Sequence, residues 1–113
     1  YFTLPSVNEL KLTKDKGVSF SEHFSLKQNF PNPFNPSTII TFDVLNDEHI
    51  YLSIFSVQGQ LINNLVDGIY ISGQYSTVWD GRDANSSPVP SGIYFYKLET
   101  VDKSISKKMI LLR

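Results

Sequence analysis

The chain contains no cysteine, which excludes disulfides and thiolate chemistry and leaves the redox compartment open. It has no excess of either charge: the formal net charge is −1, so the basic footprint of a nucleic-acid binder is missing. No apolar run approaches the roughly 20 residues that a membrane-spanning helix needs, and Met109–Leu112 is among the longest, so no membrane insertion is expected. Tyr1–Leu10 lacks the basic start and apolar stretch of a signal peptide. The chain opens on Tyr1 rather than Met and reads as a piece of a longer protein. Histidine occurs twice, as His23 and His49, without HxH or HExxH spacing, which argues against a zinc site and for structural roles. No serine lies in GxSxG and no triad can be assembled. A convincing helical period is absent throughout.

What is present is a core-forming chain. Its 113 residues suit one domain, and 41% hydrophobic against 19% charged residues is the balance of a folded protein. Aromatics are plentiful, with 8 Phe, 6 Tyr and 1 Trp. Strand patterns dominate. Thr38–Val44 alternates, with Ile40, Phe42 and Val44 on one face. A polar turn at Asn46–Glu48 leads to Ile50–Ser56, with Ile50, Leu52 and Ile54 on the core side. Gln58-Gly59 turns the chain into a weaker strand, Gln60–Val66, and Asp67-Gly68 reads as the next tight turn. Gln74–Trp79 alternates through Tyr75, Thr77 and Trp79. A long polar loop, Asp80–Gly92, precedes Ile93–Thr100 and Ile105–Leu112, which a turn at Asp102-Lys103 joins. With one more strand near Phe24–Gln28 the total is about seven. Strands recurring every ten residues or so, with turns between, predict an all-β, immunoglobulin-like antiparallel β-sandwich. Its core would hold Ile40, Phe42, Ile50, Leu52, Ile54, Val78 and the aromatics of strand 93–98. Residues 1–24 are richer in charge and weaker in period, and read as a linker or the tail of a preceding domain, with Glu9–Leu12 a candidate short strand. Residues 25–113 form the sandwich.

The stretch Asn29–Thr38, NFPNPFNPST, is a stiff segment. Pro31, Pro33 and Pro36 each fix φ and push the preceding residue, Phe30, Asn32 or Asn35, toward extended backbone. Lacking N–H groups, prolines cannot join the middle of a sheet. The segment is therefore expected as a strap along an edge or across one end, with Phe30 and Phe34 as apolar plugs. A proline-rich docking motif is the alternative, but no PxxP repeat supports it.

Candidate chemistry is sparse. Asp80, Asp83 and Asn85 of DGRDAN offer oxygen ligands, yet a calcium site needs more, and a turn in which these side chains bond nearby backbone N–H groups accounts for them. Asp80 and Asp83 share one loop and do not face each other across a cleft, as a glycosidase pair must. Asn85-Ser86-Ser87 fits a glycosylation sequon. Tyr51, Phe55, Tyr94 and Tyr96 lie on strands, where they serve as core or cross-strand pairs or, on a wet face, stack on sugar rings. The last strand is the most telling. Lys107 and Lys108 precede four consecutive apolar residues, Met109, Ile110, Leu111 and Leu112. A terminal strand with one wet face normally alternates. Either this end is buried on both sides, or its outer face or edge meets another protein, for which β-augmentation is one mode.

Three stretches carry a resemblance: LKQNFPNPFNPSTIITF (Leu26–Phe42), WDGRDANSSPVPSGIYFYKL (Trp79–Leu98) and KKMILLR (Lys107–Arg113). In this order and spacing they resemble the type IX secretion system C-terminal sorting domain, type A, of Bacteroidetes, Ignavibacteria and related bacteria. The middle stretch is also similar to the immunoglobulin-like domain of the flagellar hook-capping protein. The resemblance spans about Ser25 to Arg113. It implies a β-sandwich that follows an N-terminal cargo domain, crosses the periplasm after a distant Sec signal, and is recognised by the outer-membrane type IX translocon. It further implies cleavage by a sortase-like protease, with the cargo anchored to lipopolysaccharide or released, so the protein is secreted or at the cell surface. Recognition would fall to Lys107, Lys108, Met109, Ile110, Leu111, Leu112 and Arg113, with Gly92 as the glycine of SGxYFY. Ser86 and Ser87 stand where the family often has a glycine. No catalysis and no cofactor are expected, and an exposed edge would permit homodimerisation. The alternative is a carbohydrate-binding or adhesive module, which requires Trp79 or the strand tyrosines to face water.

Overall fold

The computed structural model describes residues 24–113. Glu9–Leu12, His23 and all but the last residue of the expected N-terminal linker lie outside the described residues. Seven strands follow one another: β1 (Ser25–Leu26), β2 (Thr38–Val44), β3 (Glu48–Ser56), β4 (Leu61–Tyr70), β5 (Gly73–Trp79), β6 (Gly92–Glu99) and β7 (Ser104–Leu111). Every strand pairing is antiparallel. One sheet has the order β1-β2-β5, the other β4-β3-β6-β7. This is the sandwich that the alternation predicts, with β3–β4 and β6–β7 as hairpins and the chain changing sheets after β2, β4 and β5.

The inner faces build the core. Ile40, Phe42 and Val44 of β2 oppose Ile50, Leu52 and Ile54 of β3, Tyr96 and Leu98 of β6, and Met109 and Leu111 of β7, all fully or almost fully buried. Trp79 of β5 closes one end, its ring centroid 5.7 Å from Phe34 and 5.4 Å from Tyr94. Burial of each large apolar side chain contributes roughly 1.5–3 kcal/mol, so the core is the main favourable term.

Four expectations need correction. Asp67-Gly68 does not turn the chain. Both residues lie inside β4, opposite Tyr51 and Ile50, and two register shifts against β3 absorb the extra residues as bulges. The Asp67 carboxylate bonds the His49 ring across the strands rather than its own backbone, so pairing with β3 overrides the local turn preference. The chain instead leaves the sheet at Ile71-Ser72, where the Ser72 N–H donates to Asp47 Oδ1 at 3.1 Å. Val78 is not in the core but 57% exposed. Period two allows only one of Val78 and Trp79 inside, and the larger ring takes the place. Phe30 is not a plug. Its backbone pairs with that of Ile39, both N–H groups donating across at 3.0 and 2.8 Å, and this puts its side chain on the solvent side of the sheet. Of the aromatics in 93–98, Tyr94 and Tyr96 point inward, whereas Phe95 points out.

Tyr96 ties the two sheets' ends together. Its hydroxyl donates to the Lys27 carbonyl and accepts the Asn29 N–H, both at 2.8 Å. Burial pushes its pKa up to about 12, against a smaller opposing effect of the Asn29 N–H. The neutral phenol is therefore favoured in the folded state. Its contribution is fully present below the ordinary value of 10.0 and is lost as pH rises through about 12. Urea unfolding followed against pH should accordingly show a loss of stability setting in above about pH 10. Tyr96→Phe should weaken that alkaline dependence while costing about 1–3 kcal/mol at neutral pH, because the Asn29 N–H and Lys27 carbonyl lose their partner.

Candidate functional site

Of the residues singled out for recognition, Lys107–Leu111 lie on β7, Leu112 and Arg113 follow it and Gly92 begins β6; period two divides the run. Met109 and Leu111 have no exposed surface. Lys108, Ile110 and Leu112 point the other way, with Leu112 53% exposed. The apolar run is therefore not sealed on both sides: half of it anchors the strand and half faces outward. Gly92, opposite Leu111 in the register, begins β6 with φ +155°, a backbone conformation that side-chain-bearing residues rarely adopt.

The strap runs along the free edge of β7. The Phe34 N–H donates to the Ile110 carbonyl and the Leu112 N–H to the Phe34 carbonyl, both at 3.0 Å, as one step of a parallel ladder. The Ile110 N–H donates to Asn32 Oδ1 at 3.0 Å, and Gln28 Nε2 donates to the Lys108 carbonyl at 2.8 Å. The strap's own entry is fixed by buried Asn29, whose amide donates to Thr38 Oγ1 at 2.9 Å and to the Pro31 carbonyl at 3.1 Å. The three prolines need no ladder partner, so the segment gives backbone hydrogen bonds where it has N–H groups, Asn29, Phe30 and Phe34 among them, and others through side chains. Phe34, 2% exposed, is the plug that the sequence predicts.

A second contact holds the far end. The Arg113 N–H donates to Ser91 Oγ at 2.8 Å. Its guanidinium reaches into the Asp80–Gly92 loop, where Nε donates to the Val89 carbonyl at 2.6 Å and Nη2 to the Gly81 carbonyl. Gly81 permits this. Its φ is +74°, and a Cβ there would lie 2.7 Å from Arg113 Nη2 and 3.3 Å from the Pro36 carbonyl oxygen. The Tyr94 hydroxyl lies nearby and donates to the Pro90 carbonyl at 2.7 Å. Burial raises its pKa, while the Arg113 charge lowers it to a smaller degree. Arg113 is thus engaged by its own loop, a role that the sequence gives no direct signal for.

The other candidates have local explanations. Asp83 Oδ1 accepts the N–H groups of Asn85 and Ser87 at 2.9 and 3.0 Å, so the carboxylate shapes a turn. Ser86 takes φ +67°, which accounts for the glycine that the resemblance puts at this place. His49 pairs with Asp67 and stacks on Tyr51 with centroids 4.5 Å apart. Among the described residues no group of three or more His, Cys, Asp or Glu could hold a metal ion.

What remains is an all-β module organised around its last strand. The family described as the secretion system C-terminal sorting domain matches residues 28–112, and the chain belongs to it. It is thus a sorting signal for secretion to the cell surface or medium. No curated protein matches the chain. Among solved structures, dimeric latent PorU from Porphyromonas gingivalis is similar at 18% identity and a TM-score of 0.64, over 87% of this chain and 10% of that one. PorZ, a surface component of the type-IX secretion system of the same organism, is similar at 19% and 0.51, over 81% of this chain and 12% of that one. FlgD from Xanthomonas campestris, a flagellar hook-capping protein, is similar at 20% and 0.55, over 78% of this chain and 66% of that one. These likenesses show a shared fold. This chain spans about a tenth of the length of PorU and PorZ.

Two backbone positions give a paired prediction. Ser86→Gly should raise stability by about 1 kcal/mol, because it relieves a left-handed residue that carries a Cβ. Gly81→Ala should lower it by about 1–2 kcal/mol through the same conformational term. It should also displace the Arg113 guanidinium, so a double-mutant cycle with Arg113→Ala by urea unfolding should show coupling of about 1 kcal/mol.

Proposed function

We propose that residues 25–113 are a non-catalytic address read by the outer-membrane type IX translocon. A sortase-like protease then separates it from the cargo domain that precedes it. Recognition falls to β7 and its tail, Lys107 to Arg113, on a strand whose last residue, Leu111, is set opposite Gly92. The observation that carries this reading is the division of β7: Met109 and Leu111 lock the strand into the core, while Lys108, Ile110 and Leu112 stay presented. A receptor thus meets a rigid display rather than a loose tail, which lowers the ordering cost of binding. The sugar-binding alternative loses most of its support. Trp79 has no exposed surface and its Nε1–H donates to the Arg82 carbonyl at 2.8 Å, Tyr94 and Tyr96 are buried, and Tyr51, though exposed, has one face stacked on the His49 ring.

The test is a periplasmic reporter carrying this 113-residue chain at its C-terminal end, expressed in a type IX-competent strain. The reporter should appear at the surface or in the medium, and lose the chain there when the protease is active. Retention in the periplasm beside a positive control that is exported would sink the reading. Deleting Lys107–Arg113 is a poor substitute, because it removes Met109 and Leu111 from the core and unfolds the sandwich.

A further inference from the structure

The free edge and the outer face of β7 are different surfaces, and only one of them is open next to Ile110 and Leu112. Along the edge, the hydrogen-bonding groups of Ile110 and the N–H of Leu112 are taken by Asn32 and Phe34, and the Lys108 carbonyl by Gln28. A partner strand cannot add there while the strap is in place. Among the described residues, no element covers the outer face of the four-stranded sheet. Its register sets Leu61, Phe55, Phe95 and Lys108 in one row across all four strands, with Ile93 opposite Ile110 in the next row and Leu112 beyond. Leu61 is 56% exposed, Phe95 36% and Ile93 41%. Beside the row a shallow depression of about 340 Å³ is lined by Phe55, Val57, Gly59, Phe95, Lys97 and Ser106.

The charge on this face has one sign where it meets the apolar row. Lys108 ends the row, and neither it nor Lys107 has a carboxylate partner among the described residues. Lys97 sits 5.4 Å from the centre of the Phe55 ring, with Glu99 3.6 Å from its ammonium. An apolar row that ends on the unpaired Lys108, with Lys97 beside it, matches a protein surface that offers apolar side chains bordered by carboxylates.

We propose that the receptor for this sorting domain docks side chain to side chain on the outer face of β3, β6 and β7. An apolar residue would fill the depression between Phe55 and Phe95, and carboxylates would face Lys97 and Lys108. The stretch of edge at Ser104–Lys107, to which no described strand is added, is not the docking element. The proposal rests on the sorting function given above, and it specifies the surface and the chemistry of the partner.

The reporter fusion carrying the full 113-residue chain separates the possibilities. Phe95→Ser and Lys108→Glu alter outward side chains that make no core contact. Each should cut export by about tenfold or more, the loss expected of an interface anchor, with the far-UV and thermal unfolding profiles unchanged. Ser104→Pro, at the first position of β7 and outside the depression, removes an edge N–H of the same parity as those of Ile110 and Leu112 that strand addition would use, and should leave export intact. Val78→Ser, on the outer face of the opposite sheet, should also leave it intact. Wild-type export with Phe95→Ser and Lys108→Glu exported equally well overturns the proposal. Loss of export in Ser104→Pro, with its folding retained, overturns it in favour of edge pairing. Co-sedimentation of the wild-type chain with phosphatidylglycerol vesicles, abolished by Lys108→Glu, overturns it in favour of an anionic lipid surface. Failure of the unaltered fusion to leave the periplasm counts instead against the sorting function.

Discussion

The structure depends on the closure of β7 between the sheet and the strap. On one side β7 is hydrogen-bonded to β6 through eight register pairs, Gly92↔Leu111 to Glu99↔Ser104. On the other the strap is bonded to it at Ile110 and Leu112, with Phe34 inserted under Trp79. An edge strand presents unpaired backbone groups that invite aberrant pairing. Here a segment that cannot itself be a sheet strand covers the end of that edge, and its prolines stop the ladder from propagating further. The guanidinium of Arg113 in the carbonyls of Gly81 and Val89 completes the enclosure at the strand's end. Removing Phe34 would open a cavity against Trp79 and free Ile110 and Leu112 at once, so these interactions stand or fall together.

This closure explains how one run of apolar residues serves both stability and display. Four successive apolar side chains on a loose strand would be an aggregation hazard. Fixed by β6 and the strap, the same run gives Met109 and Leu111 to the core and leaves Ile110 and Leu112 on a surface of defined geometry. The lysines preceding the run keep the strand wet at its entry and supply charge without needing burial.

The fold was legible in the sequence because most of its information is local. Alternation in Thr38–Val44 and Ile50–Ser56 identified both strands and the residues they bury. The failures were of two physical kinds. At Asp67-Gly68 a strong local turn preference was overridden by pairing with β3, which no local reading detects. At Val78 and Phe30 the residue type suggested burial, but the pleat and the pairing with Ile39 decided the direction. The candidate site was legible only as a stretch. That Lys107–Arg113 was unusual followed from its pattern. Which of its residues face out, and that Arg113 is held by a loop 24 and 32 positions earlier, depends on long-range contacts. The absence of N–H groups marked the proline segment in the sequence, but which of its aromatics turns inward and its partner strand about eighty residues away were not legible there.

That distance has a bearing on biosynthesis. Gln28, Asn32 and Phe34 wait for carbonyls and amides at Lys108 to Leu112, so the early segment of the sandwich stays incomplete until the chain has been made to its last described strand. A product broken off before Ser104 would leave Phe34 without its partners at Ile110 and Leu112 and the β6 edge bare. It could neither finish folding nor pass as a complete parcel. The same closure that makes the module sturdy thereby ties its completion to the synthesis of β7.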